Sequence, residues 1–418
     1  MEVKRVYPVY PLQPIDSLEI IFKIAERCNI NCTYCYYFNM GDDTALDRPA
    51  SVDVPTTEVL AKAFAQGCLD LNIPLVQVIF HGGEPMMINP ELFAQICETL
   101  QNHISPVANL QLFIQTNGIV FNEKWIQIFK QYEVCVGFSI DGDREAHDRY
   151  RLNKMGRSTF DLTEKNLKCM IDRSRKGECP MPTTISVIDP SNNYKNIYSY
   201  LRSLGIEGMS FLLPDRNVDN GKELEPEMIE AYGRALYEIF EAWFFEDNTK
   251  VQITHINRML EYFQIYETSE AKGYEYLYLN RNSNKRRTQI IIARTDGTLA
   301  VNDTYIPALS WYKTMPIYSM KESSLKDFLE DYIFEDIEEI KNTLPRGCAN
   351  CKWRKICKGG DIENRYSEKS GFDNPSIYCD AYKLYFNKVC KLLVDSGYPA
   401  EMIPTADNSY PAEMGATV

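Results

Sequence analysis

From Leu18 onward, runs of apolar residues alternate with amphipathic stretches. LEIIFKIA, LVQVIFHG, LQLFIQTNG, EVCVGFSIDG, PTTISVID and GMSFLLPD read as strands, continuous enough in apolar residues to be buried on both faces, as parallel strands are. Between them TTEVLAKAFAQGCLDL, NPELFAQICETLQNHI and EKWIQIFKQY carry the apolar spacing of helices. Strand–helix alternation of this kind predicts an α/β fold on a parallel sheet, open or closed into a barrel. Polar, glycine-containing segments follow the strands (HGGEP, QTNG, SIDG), and in such folds the C-terminal strand ends carry the chemistry.

After Asp215 the pattern changes. A polar linker, RNVDNGKELEP, leads into a helical stretch expected from about Glu227 to Ile265. RRTQIIIARTDGTLAVND places Asp-Gly between apolar runs, a hairpin signal. A cysteine-rich segment and the helix YCDAYKLYFNKVCKLLVD follow, with a polar tail from Pro399. The expected organisation is an N-terminal extension (1–17), an α/β domain (18–215), a helical bridging region (216–287), a cysteine-bearing domain (288–390) and a helix end with tail (391–418).

Composition narrows the function classes. Apolar residues make up 44% and charged residues 25% of the 418, the profile of a globular protein. The net charge of −13 argues against nucleic-acid or anionic-membrane partners, since a cationic surface drives both. No apolar run reaches the roughly 18 residues of a membrane span, and the N-terminus lacks a signal-peptide pattern; a cytoplasmic location is expected. Thirteen cysteines are then unexpected as disulfides. Two groups sit at metal-ligand spacing: Cys28, Cys32 and Cys35 in CNINCTYC, and Cys348, Cys351, Cys357 and Cys379. The other six read as small buried hydrophobes.

Three cysteines at C-x3-C-x2-C after the first strand can converge on one centre. Structural zinc wants four protein ligands, and no fourth Cys or His lies nearby. A [4Fe–4S] cluster can leave one iron open. This motif, with Tyr34 before its last cysteine, resembles that of the radical S-adenosylmethionine (SAM) superfamily. The resemblance implies a partial (β/α)6 TIM-like barrel in which SAM chelates the open iron and is cleaved to methionine and a 5′-deoxyadenosyl radical. It also assigns SAM contacts: Gly82, Gly83 and Glu84 of the glycine-rich motif, Thr116 and Asn117 after the third strand, Ser139 after the fourth, and Arg151, with Arg149 in the same turn as its competitor. A guanidinium suits the SAM carboxylate because it pairs in bidentate fashion.

Cys348-x2-Cys351-x5-Cys357 with Cys379 suits either zinc or a second [4Fe–4S] cluster on spacing alone. It resembles a SPASM domain, the C-terminal auxiliary-cluster module of peptide- and protein-modifying radical SAM enzymes. Two positions depart from the full pattern: Asp361 stands where a cysteine is expected, and Asn302 where another follows Gly297. The missing ligands belong to the family's first auxiliary cluster, so one auxiliary [4Fe–4S] cluster is expected. It serves either electron transfer or the fold.

The segment around RYSEKSGFDNPSIYC resembles a subgroup that installs carbon–carbon crosslinks, cyclophanes, in ribosomally made precursor peptides. On that resemblance the expected activity joins an aromatic residue to a nearby side-chain carbon. The expected partners are a precursor peptide and an external electron donor such as flavodoxin or ferredoxin; about 17 residues precede the first strand, so leader recognition would use another surface of the chain or a separate leader-recognition protein. Asp215, closing FLLPD, and Asp361 are candidate catalytic bases; His81 and His147 are further proton carriers. Formylglycine-type oxidation of Ser or Cys, as in sulfatase maturation, is an alternative against which the missing ligands count. Thioether formation is another, and a zinc-bound scaffold is the non-enzymatic one.

Overall fold

The computed structural model describes residues 14–221, 224–260, 287–400 and 403. Most of the expected N-terminal extension and tail, and positions 261–286 of the bridging region, lie outside them. The strands are β1 (Ile15–Ala25), β2 (Ile30–Cys32), β3 (Leu75–Gly82), β4 (Asn109–Thr116), β5 (Cys135–Ser139), β6 (Arg151–Asn153), β7 (Thr183–Val187), β8 (Gly208–Leu212), β9 (Gln252–Ile253), β10 (Arg287–Ala293), β11 (Thr298–Val301) and β12 (Tyr318–Ser319). One sheet runs β12-β11-β10-β1-β3-β4-β5-β7-β8-β9, and β2 pairs β6 in a separate ribbon. Its centre, β1-β3-β4-β5-β7-β8, is parallel throughout. These six parallel strands make the partial (β/α)6 barrel, and β10 on one flank and β9 on the other continue the sheet in parallel.

The strand runs are less uniformly buried than their apolar content suggests. Along β3, Val76, Val78 and Phe80 are fully buried, while Gln77, Ile79 and His81 between them are only partly so. The buried face meets the helices Pro90–Ile104 and Glu123–Gln131 through an aromatic chain: Phe80 to Phe93 at 4.7 Å and Phe93 to Trp125 at 5.1 Å between ring centroids. Each such buried ring contributes about 1.5–3 kcal/mol. The opposite face keeps polar side chains because it lines the barrel, where Gln77 donates to Gln111 at 2.9 Å.

Beyond β8 the expected long helix is interrupted. Pro226–Glu246 ends at Asp247 in the left-handed conformation, β9 follows, and a new helix covers Thr254–Leu260. The Asp-Gly turn is present between β10 and β11, with Gly297 at φ 83°, where a side chain would be strained. This hairpin extends the barrel sheet, because β10 runs parallel to β1. Helix Cys379–Asp395 packs on Pro226–Glu246 at Gly233, where a Cβ would come within 2.6 Å of the Ala381 carbonyl. Among the described residues no helix is long and apolar enough to cross a membrane.

Candidate active site

Cys28, Cys32 and Cys35 lie on the loop after β1, at the C-terminal end of the barrel strands. The loop is held from three sides. Cys32 ends β2 and is the ladder partner of Arg151 in β6. The Cys35 amide donates to Cys32 O at 3.0 Å, and Asn39 Nδ2 to the same carbonyl at 2.8 Å. Gly82 and Gly83 fix the third side: Gly83 N donates to Ala25 O and Glu84 N to Arg27 O. A Cβ on Gly82 would lie 1.9 Å from Ala25 O, and one on Gly83 would lie 2.3 Å from Arg27 O. These glycines are what lets β3 end against the chain leading into Cys28.

Glu84 is buried and ties two strand ends together. Oε1 accepts from Met86 N and Thr116 Oγ1 (3.0 and 2.7 Å), and Oε2 from Asn117 N at 2.7 Å. Burial raises its pKa, opposed by the Asn117 amide. Oε2 has one protein donor and can accept another. Asn117 turns its side chain to the cysteine loop, donating to Asn29 Oδ1 at 2.7 Å, with Cys28 Sγ at 3.9 Å. Ser139 Oγ accepts from Gln115 Nε2 at 2.8 Å, which leaves its own hydroxyl hydrogen to donate elsewhere.

Arg151 and Arg149 are separated by environment. Arg149 lies toward the surface, bonded to Asp189 at 2.5 Å and to Ser191. Arg151 is buried beside Cys32, donating from Nη1 to Tyr34 OH at 2.7 Å. Tyr34 OH passes its hydrogen to Asp141 at 2.6 Å, and Asp141 also accepts from Val187 N. Arg151 Nε has no partner although buried. An orphaned guanidinium N–H in such a place calls for an acceptor, and a carboxylate such as SAM carries fits it. Asp141 went unnoticed in the sequence, although it sits inside SIDG.

A second network faces the same loop. Lys23, fully buried on β1, forms an ion pair with Asp303 at 2.6 Å. It also lies 3.3 Å from both Tyr36 OH and His81 Nδ1. Asp303 is within 3.4 Å of Tyr36 OH, next to Cys35. The only sequence signal for Lys23 is a cation inside the apolar run FKIA. Its positive charge adds to burial in pushing His81 down to about 3, so His81 is neutral. His147 is also neutral, held down to about 3 by burial, and its ring bonds Thr159 Oγ1 at 2.9 Å.

Asp215 stands just past β8. Burial, then the charges of Asp303 and Asp361, raise its pKa to about 7. Both flanks of the residue are pinned by the C-terminal module. Tyr378 OH donates to Pro214 O at 2.7 Å, Asn364 Nδ2 to Arg216 O at 2.7 Å, and Asn217 Nδ2 to Pro307 O at 2.6 Å. Asp361 is exposed yet close enough to act on Asp215 and on Glu363. Glu363, absent from the sequence reading, is held protonated well above the carboxylate range by burial and by Asp361. Asn302 caps the turn Asp303–Ala308, accepting from Thr304 N.

Cys348, Cys351, Cys357 and Cys379 line one cavity of ≈ 320 Å³, open mouth included, with Trp353, Tyr382 and Phe386. Among the described residues no three His, Cys, Asp or Glu side chains are drawn tightly enough around a point to hold a single ion. Four thiols in an apolar, aromatic lining suit a cluster. The donor sets therefore fit [4Fe–4S] groups at both places, Cys28, Cys32 and Cys35 at one and the four C-terminal cysteines at the other.

Residues 22–204 match the Radical SAM superfamily family model. The barrel has the radical SAM fold. The protein is accordingly an enzyme whose cofactors are [4Fe–4S] and SAM. It is similar to a cysteine-type anaerobic sulfatase-maturating enzyme of Clostridium novyi, 24% identical over 391 residues, covering 90% of this chain and 96% of that one. A serine-type anaerobic sulfatase-maturating enzyme of Bacteroides thetaiotaomicron is 24% identical over 383 residues, covering 87% of this chain and 86% of that one. The solved structure of native anSMEcpe with bound AdoMet and Cp18Cys peptide has a TM-score of 0.73 at 18% identity, covering 91% of this chain and 98% of that one. The fold extends through the C-terminal module.

Proposed function

We propose that this radical SAM enzyme modifies a peptide or protein substrate by a two-electron oxidation of one side chain, of the formylglycine type. The observation that carries it is the placement of Asp215: a carboxylate with its pKa near 7, pinned at the barrel mouth between the two cysteine sites. When bound, the cluster and SAM supply a 5′-deoxyadenosyl radical able to take one hydrogen atom. The rest falls to the chain. Arg151, Ser139 and Glu84 would hold the SAM carboxylate and ammonium, with Asn117 at the cluster loop. After hydrogen loss at the substrate Cβ, the Cys or Ser still has to lose a proton, which Asp215 is placed to take, and an electron, for which an oxidised cluster held by the C-terminal cysteines would be the acceptor. The thioaldehyde left by Cys would then exchange its sulfur for water, releasing hydrogen sulfide. Cys28, Cys32 and Cys35 would hold one cluster and Cys348, Cys351, Cys357 and Cys379 the other.

The carbon–carbon crosslink expected from the C-terminal segment is the second reading. The sulfatase-maturating relatives favour oxidation, while Asn302 and Asp361 favour the crosslink, since neither position offers a thiolate for a further cluster. A peptide partner is in keeping with the peptide-bound relative; a flavodoxin- or ferredoxin-type donor and a leader-recognition protein belong to the proposal.

Anaerobic turnover of synthetic peptides carrying Cys, Ser or paired aromatic residues separates the readings. Hydrazide labelling of the product marks a new aldehyde. A mass loss of two hydrogens without hydrazide reactivity marks a crosslink and overturns the oxidation reading.

A further inference from the structure

Arg365 is among the largest fully buried side chains, at 2% exposure, and among the described residues it has no ion pair. Its guanidinium faces only carbonyls: Nη1 to Ile340 O (3.2 Å), Nη2 to Thr343 O and Phe372 O (both 3.0 Å), and Nε to Phe372 O (3.2 Å). Carbonyl dipoles satisfy the N–H groups but do not neutralise the charge, and an uncompensated buried charge is costly. Asp373 acts on Arg365 as well, but it is turned to the surface and bonded to Arg346 at 2.5 Å.

Arg365 reaches the cysteine cavity through Gly359, which lines it. The stem of Arg365 passes the backbone of Gly359, two residues after Cys357, with Cδ 3.7 Å from where a Cβ would stand. Its charge is felt by Cys348 and Cys357. The cations that line the cavity itself are Arg354 and Lys383. Arg354 is partly exposed and donates to Cys351 O at 3.2 Å, and Lys383 is half-exposed and bonded to Asp380 at 2.9 Å, so water screens the first and water with that carboxylate the second.

We propose that Arg365 is the fixed counter-charge of the four-cysteine site, a positioning residue that raises the reduction potential of the cluster held there. This rests on the reading of that site as a cluster site. Four thiolates around a four-iron core leave a net negative charge, which grows when an electron is added. A buried cation favours the more negative state, and net charge is one of the controls on cluster potential. The three carbonyls clamp the guanidinium in place, so its effect does not depend on side-chain motion.

The test is an anaerobic redox titration of the reconstituted full chain by electron paramagnetic resonance, without substrate, comparing wild type, Arg365→Gln and Arg365→Lys. Iron and zinc are counted in each. Gln is expected to lower the potential of the C-terminal cluster by at least 59 mV, a tenfold change in a one-electron equilibrium. Lys should stay near wild type, and the barrel cluster should not move in either variant. Iron lost from Gln but kept in Lys supports the same role. An unmoved potential in Gln with both clusters present overturns the proposal alone, as does equal loss of iron from both variants. Wild type holding zinc at this site overturns the cluster reading and the proposal with it.

Discussion

Tyr378, which directly precedes Cys379, donates a hydrogen bond to the carbonyl of Pro214, which directly precedes Asp215, at 2.7 Å. The last cysteine of the C-terminal set and the candidate proton acceptor of the barrel are thereby one contact apart. Tyr378→Phe should lower the yield of modified peptide per 5′-deoxyadenosine roughly fivefold, the worth of a hydrogen bond of about 1 kcal/mol. Iron content should not change. Quantifying both products by mass spectrometry in one reaction checks this.

Asp215 itself gives a pH prediction. Its pKa is raised from 3.8 to about 7, so the folded state favours the neutral carboxyl. A base must be ionised, so peptide modification should rise with pH through about 7, and Asp215→Asn should abolish that limb while SAM cleavage without substrate continues. The linkage has the opposite sign. With a folded pKa above the unfolded one, Asp215 costs stability progressively from about pH 4 to about pH 7, and the full penalty stands above that. Asp215→Asn should therefore be more stable at pH 8, by up to about 4 kcal/mol, and near neutral in effect at pH 4. Denaturant unfolding at the two pH values measures it.

The parts of this site that the sequence disclosed are local. CNINCTYC, HGGEP and SIDG are contiguous, and the apolar runs before them define the strands that carry them. The ion pair of Lys23 and Asp303 was not legible, because it joins β1 to a loop 280 residues later and depends on β10 lying parallel to β1. Glu363 was hidden for a related reason: its environment is made by Asp361 and Asp215, which are brought together only when the C-terminal module closes on the β8 exit. Arg149 and Arg151, two apart in sequence, could be told apart only by the β2–β6 ribbon that sets Arg151 against Cys32. The C-terminal segment resembles a crosslinking subgroup over some thirty residues, whereas the relatives matched over nearly the whole chain are sulfatase-maturating enzymes.

The Lys23–Asp303 pair makes a stability prediction. Lys23→Met leaves a buried carboxylate without its cation and should cost about 3–5 kcal/mol. Adding Asp303→Asn should recover much of that loss, since the uncompensated charge is gone. Thermal or denaturant unfolding of the two single variants and the double variant forms the cycle.

Arg151 and Arg149 should separate in SAM binding. Arg151→Lys removes the planar donor set beside Cys32 and should weaken SAM binding by about 1–3 kcal/mol, the range for hydrogen bonds to charged groups. Arg149→Ala loses a partly exposed ion pair and should change it by less than about 1 kcal/mol. Anaerobic titration calorimetry on the reconstituted enzyme reads both.

The most direct measurement uses a peptide deuterated at the Cβ of its central Cys or Ser, turned over anaerobically with SAM and a reductant. The account predicts that 5′-deoxyadenosine gains one deuterium and that the peptide gains a hydrazide-reactive aldehyde in equal amount. An aldehyde formed alongside unlabelled 5′-deoxyadenosine, or no 5′-deoxyadenosine from protein with its iron in place, would contradict it.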